Sequence, residues 1–191
     1  MVKSAAILVF LFGLALGIVD VPDASAQDLT VAPTGDSIPA AQSEDVQTID
    51  GIILALYDVI SGGAGVERDW NRFLSLFDPE ARLIPTFFND RRATGQALVW
   101  SPAVYIERAG ANISANGFFE REIGRSSHRF ENIAQVFSTY ESRRTEDGPL
   151  IAKGINSIQL MWDGERWWIM NVFWRGVGPE DEIPSEYLRN D

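Results

Sequence analysis

The residues able to move a proton are few, and most sit in stretches that alternate like strands. His128 is the single histidine, and imidazole has the ordinary pKa best suited to a general base near neutrality. Ser126, Ser127 and Arg129 surround it. It therefore reads either as that base or as a partly exposed residue where a strand begins. Glu120 and Glu122 lie two apart and share one face of an extended segment, with Arg121 on the other. Two carboxylates on one face could raise one another's pKa; on an outer face they would simply be solvated. Tyr140 offers a phenol. Alternation puts it on one face with Ala134, Val136, Ser138 and Ser142, and Ile133, Gln135, Phe137, Thr139 and Glu141 on the other. Small residues and a phenol suit a cavity wall, so the first set is read as concave. Asn156, Ser157, Gln159 and Asn171 are polar positions among apolar strand residues. Alternation groups Asn171 with Trp167, Ile169 and Phe173, an amide in an apolar wall, which needs a ligand or a neighbour as partner. Trp70, Phe73 and Phe77 have helical spacing, and Tyr105 falls on a later helix. These rings either line a ligand cavity or pack the core. The candidate catalytic residues are thus His128, Glu120 and Tyr140. The candidate ligand-binding residues are Trp70, Phe73, Tyr105, Tyr140, Asn156 and Asn171. With no cysteine and one histidine, zinc lacks its usual ligands; no metal site and no cofactor is expected.

The elements that must position these groups follow from periodicity. Ile49, Ile52, Ile53, Leu56 and Ile60 mark an amphipathic helix over 46–60, closed by the glycines of 61–65. Asp69 caps a second helix carrying Trp70, Phe73, Leu74 and Phe77, which Asp78-Pro79 stops. A short strand is expected over 82–88. Ser101-Pro102 opens a third helix, running to about Ala115 and ending at Asn116-Gly117. The remainder reads as sheet: a short strand over 118–123, a long alternating run over 129–143, and strands over 150–162 and 167–174. Gly154 marks a bulge, and Asp163-Gly164 a two-residue hairpin turn. The tail after Gly176 is acidic and expected to be loosely held.

The chain has 191 residues and a net charge of −11, with eleven Phe, six Trp and four Tyr to fill one core. Acidity without a Lys/Arg cluster argues against a nucleic-acid partner. Lys3, the uncharged run Ala5–Val19 and Ala24-Ser25-Ala26 form a signal-peptide pattern over 1–26, with cleavage before Gln27. Export to the periplasm or beyond is the expectation, with no membrane attachment after cleavage. Residues 27–44 read as a disordered linker, 45–176 as the domain and 177–191 as its tail.

Three stretches resemble the nuclear transport factor 2-like superfamily, which includes the SnoaL-like and ketosteroid isomerase-like proteins. They are Trp70-Asn71-Arg72-Phe73-Leu74-Ser75-Leu76-Phe77-Asp78-Pro79-Glu80-Ala81-Arg82-Leu83, Ile133-Ala134-Gln135-Val136-Phe137-Ser138-Thr139-Tyr140-Glu141, and the terminal Asp163-Gly164-Glu165-Arg166-Trp167-Trp168-Ile169. The resemblance spans about residues 46–175. It implies an α+β fold: a cone-shaped, curved antiparallel sheet with three N-terminal helices packed on its concave side, enclosing a pocket. It implies no single activity. The aspartate base with tyrosine and acid of the isomerases, the paired histidines of the dehydratases and the Asp-Arg-Asp set of the epoxide hydrolases do not carry over. The expected role is therefore binding a small hydrophobic molecule, or association without catalysis. Such folds often form homodimers through the outer sheet face, here through Phe137 or Trp174. The alternative is a proton-transfer isomerase or dehydratase using His128, assisted by Glu120 or Tyr140.

Overall fold

Thr48 opens the first long helix by accepting the Gly51 N–H on its hydroxyl at 2.8 Å. In the computed structural model, which describes residues 38–89 and 92–189, this helix is α2 (Ile49–Ile60). A separate turn, α1 (Ser43–Val46), precedes it. The expected signal peptide and residues 27–37 of the expected linker lie outside the described residues. Residues 43 and 44, read as linker, already belong to α1. Ile52, Ile53, Leu56 and Ile60 are buried along one side of α2, each contributing roughly 2 kcal/mol of apolar burial. Asp69 caps α3 (Trp70–Ser75) by accepting the Arg72 N–H. Arg72 then grips the buried Asp45 with two hydrogen bonds, at 2.8 and 2.9 Å, tying α1 to α3.

The second helix ends earlier than its spacing suggests. Phe77 is already the first residue of β1 (Phe77–Asn89). Asp78 and Pro79 fall in that strand, where its pairing with a neighbour is interrupted between Phe77 and Arg82; the proline sits where no ladder N–H is required. β2 (Thr94–Ala97) pairs antiparallel to β1. The third helix is broken into α4 (Pro102–Tyr105), a π turn (Ile106–Gly110) and α5 (Ala111–Asn116). Ser101 caps its start through the Val104 N–H. Gly117, at φ 70°, ends it.

β3 (Phe119–Phe130), β4 (Ile133–Arg143), β5 (Leu150–Trp162) and β6 (Trp167–Val177) complete a six-stranded sheet in the order β2-β1-β6-β5-β4-β3. All neighbours are antiparallel except β1 and β6, which run parallel. The fold is therefore α+β with an open, curled, mixed sheet. The run over 129–143 belongs to two strands, because the chain reverses at Glu131 (φ 48°) and Asn132. The hairpin at Asp163 is longer than two residues, since Trp162 pairs with Trp167. The Asp163 carboxylate holds that loop, accepting N–H groups of Glu165 and Arg166 at 2.8 Å and the Trp168 indole at 2.6 Å.

Two one-residue bulges set which side chains face the helices. In β3, Glu122 pairs with Tyr140 but Gly124 with Thr139, so Ile123 is extra. In β6, Gln159 faces Asn171 but Leu160 faces Ile169, so Met170 is extra. Each extra residue reverses the alternation beyond it. Gly154 lies in regular pairing between Tyr140 and Gly176 rather than at a bulge.

The tail is held, contrary to expectation. A 3₁₀ turn (Ser185–Leu188) lies on the outer face of β3 and β4. The Thr139 hydroxyl donates to the Tyr187 carbonyl at 2.6 Å, and the Arg125 N–H to the Arg189 carbonyl at 2.8 Å. The Tyr187 ring stacks on Phe137 at 6.3 Å. No helix among the described residues is long and apolar enough to cross a membrane.

Candidate functional site

Between the concave face of the sheet and the helices lies a cavity of about 210 Å³. Leu56 and Ile60 of α2, Phe73 of α3 and Leu83 of β1 supply its apolar floor. Phe73 is packed from two sides, against Phe77 at 4.7 Å and stacked on Tyr105 at 5.4 Å. Tyr140, Val172 and Trp174 approach from β4 and β6, and Phe118 from the start of β3. Among the described residues Glu120 is the one carboxylate in the wall, with Ser142 and Asn156 beside it.

Tyr140 can lie in the wall because the strands beside it carry no side chain there. A Cβ on Gly154 would fall 2.6 Å from the Tyr140 hydroxyl, and one on Gly176 would fall 3.1 Å from it. The phenol thus occupies a trough made by two glycines on successive strands.

Glu120 sits in a neutral polar frame. The Ser142 hydroxyl donates to its Oε2 at 2.8 Å. The Asn156 amide favours the ionised form of the same carboxyl and donates to the Tyr57 hydroxyl at 3.0 Å. Tyr57, projecting from α2, also bonds Ser138 at 2.6 Å. Ser138 leads on to Glu122, which is paired with Arg125, itself paired with Asp50 on α2. One carboxylate of the pair is therefore neutralised and the other is not. Burial pushes the Glu120 carboxyl up to about 7, against the two hydrogen bonds that hold it down. Burial, and next the nearby Glu120 charge, push the Tyr57, Tyr105 and Tyr140 phenols above their ordinary range. The arrangement can hold a small apolar body, offer hydroxyls and one carboxyl to its polar end, and exchange a proton near neutral pH.

Of the residues singled out from sequence, Glu120, Tyr140, Phe73, Tyr105 and Asn156 meet in this cavity. His128 does not. It is exposed, opposite Gln135 near the far end of β3, and the bulge at Ile123 has turned it to the outer face. Eight residues of strand separate it from Glu120, roughly 26 Å. Asn171 is also turned outward, by the bulge at Met170. Its amide nitrogen reaches Gln159 at 3.5 Å and its buried Oδ1 has no partner. Trp70 packs edge-on against Phe73 at 5.8 Å but outside the cavity wall. Trp174, expected on the outer face, lines the cavity instead. Tyr57 and Ser142 complete the frame of Glu120. Ser142 carried a signal, sharing the alternation of Tyr140; Tyr57 reads as an available phenol on the first helix, with nothing in the sequence to place it beside Glu120.

No protein-family profile matches the chain, and no curated protein matches its sequence. Solved structures do match in shape. A protein of unknown function with a cystatin-like fold from Nostoc punctiforme superposes with a TM-score of 0.53 at 10% identity, covering 72% of this chain and 92% of that one. An uncharacterized protein with a cystatin-like fold from Caulobacter vibrioides gives 0.46 at 12% identity, covering 69% and 89%. The hub of the S. rosetta kinase CaMKII gives 0.43 at 16%, covering 68% and 89%. At such identities the likeness concerns fold alone. The chain accordingly has an α+β fold of the cystatin-like kind, a curled sheet with helices packed against it, consistent with the fold that the resemblance to the nuclear transport factor 2-like superfamily implies.

Proposed function

We propose that the domain binds a small, mostly apolar molecule carrying one polar group, with that group held at Glu120. The observation that carries this reading is a 210 Å³ cavity whose apolar wall is interrupted by one half-buried carboxyl set between Ser142 and Asn156. A cavity of about 150 Å³ accommodates benzene, so the occupant is a single ring or a short branched chain, not a fused polycycle. Ala152 of β5 lines the cavity, so Ala152→Phe would fill it from the wall. Calorimetric titration with single-ring compounds should show binding to the native chain and a loss of at least about tenfold in the filled variant. Undiminished binding by a folded Ala152→Phe protein would place the ligand elsewhere.

A second reading is favoured by the position of the Glu120 pKa, about 7. A carboxyl poised there suits proton transfer at a carbon next to a carbonyl, the chemistry first assigned to His128. In that case Glu120→Gln should lower turnover of a small cyclic enone by about 100-fold or more, while His128→Ala leaves it intact. Equal turnover in the Glu120→Gln protein rejects Glu120 as the base.

A further inference from the structure

We infer that the polar group of the bound molecule is an organic cation, an ammonium carried on a single ring or short branched hydrocarbon. The inference rests on the reading of the cavity as a ligand site and adds the chemical class of the ligand. Three observations point the same way. Five aromatic side chains line the cavity, Phe73, Tyr105, Phe118, Tyr140 and Trp174, around the single carboxylate Glu120. Ring faces carry negative potential, and an aromatic cage with a carboxylate is the surrounding that a desolvated ammonium prefers. Among the described residues no lysine or arginine lines the cavity, so this lining holds nothing that would repel a cation or retain an anion.

The frame of Glu120 supports the same conclusion. Its partners, Ser142 and Asn156, are neutral donors. A carboxylate has about four acceptor positions, so capacity remains toward the cavity. Glu122, by contrast, already has Arg125 as its counter-ion, and Glu141 has Arg121 and Arg143. Among the described residues, Glu120 is a half-buried carboxylate whose hydrogen-bond partners are all neutral. Burial raises its pKa; an ammonium guest would supply the missing charge and bring it back down. The net charge of −11 adds an attractive field for a cationic ligand.

The test uses the full chain and two ligands of one shape, cyclohexylammonium and cyclohexanol, titrated calorimetrically at pH 8. At that pH Glu120 is ionised and the amine is protonated. The ammonium should bind at least about tenfold more tightly than the alcohol. In Glu120→Gln, checked for native circular dichroism, that preference should vanish while cyclohexanol binding persists. Cyclohexanecarboxylate should not bind. If cyclohexanol or the carboxylate binds the native chain as tightly as the ammonium, the cation inference fails and the cavity reading stands. If none of the three binds, the cavity reading fails and takes the inference with it. The native chain alone decides between these outcomes even where Glu120→Gln does not fold.

Discussion

In Glu120 two influences compete. Burial favours the neutral acid, while Ser142 and Asn156 favour the carboxylate, and burial is the larger. The consequence for stability has a definite sign. The folded-state value of about 7 lies above the ordinary value of 4.5. Between these values the folded chain binds more protons at this position than the unfolded chain does. The stability Glu120 confers is therefore complete below about pH 4.5 and is lost as pH rises through 7. Glu120→Gln removes the titration while keeping the shape. Urea unfolding should find the variant close to the native chain at pH 4 and more stable at pH 8, by up to about 3 kcal/mol. A variant no more stable than the native chain at pH 8 would mean that the carboxylate is compensated by something other than Ser142 and Asn156. At this scale Glu120 and Tyr140 were legible in the sequence because each sits in the alternation of its strand before any bulge intervenes. Tyr57 was not, since its importance depends on which strand α2 happens to cross.

At the level of elements, errors of reading trace to single residues of backbone. Simple alternation assigns His128 and Asn171 to the cavity side, but Ile123 and Met170 each insert one residue and send them to the other. Nothing in either residue type announces this. A bulge is a property of a pair of strands, and a sequence shows one strand at a time. The same limit hid the parallel pairing of β1 with β6, whereas the three consecutive long strands β4, β5 and β6 are legible because alternation and turn residues are local signals. Gly154 is the converse case. It reads as a bulge and is instead the space that Tyr140 fills, with a Cβ at 2.3 Å from the Arg175 carbonyl as well as 2.6 Å from the phenol. Backbone cannot yield as a flexible side chain can, so Gly154→Ala should lower stability by about 1–3 kcal/mol and expel the Tyr140 ring from its trough. Thermal unfolding with Tyr140 ring resonances by NMR would report both; an unchanged melting point with unshifted resonances would show that the trough has room to spare.

Across the whole domain, the outer sheet face divides into a covered and an uncovered part. Ile133 and Phe173 on that face are 54% and 45% exposed, large apolar side chains left to solvent. The patch around Thr139 is instead covered by the C-terminal turn, which leaves Phe137 40% exposed, and Gly124 is shaped to receive the turn: a Cβ there would fall 2.6 Å from the Tyr187 carbonyl and 2.8 Å from the Leu188 Cα. A homodimer formed through the outer face would therefore have to use the uncovered strands or displace the tail. Removing residues 185–191 distinguishes these routes. It abolishes the Thr139 and Arg125 hydrogen bonds to the tail and the Phe137–Tyr187 stacking, which together should cost about 1–3 kcal/mol of stability. It also enlarges the exposed part of Phe137 beside the other exposed apolar residues, and contiguous patches of that kind promote association. Sedimentation velocity at micromolar concentration should then show the shortened chain shifted toward a larger species relative to the full chain. The opposite shift, with the full chain dimeric and the shortened chain monomeric, would make the tail part of the association surface and not a cover over it.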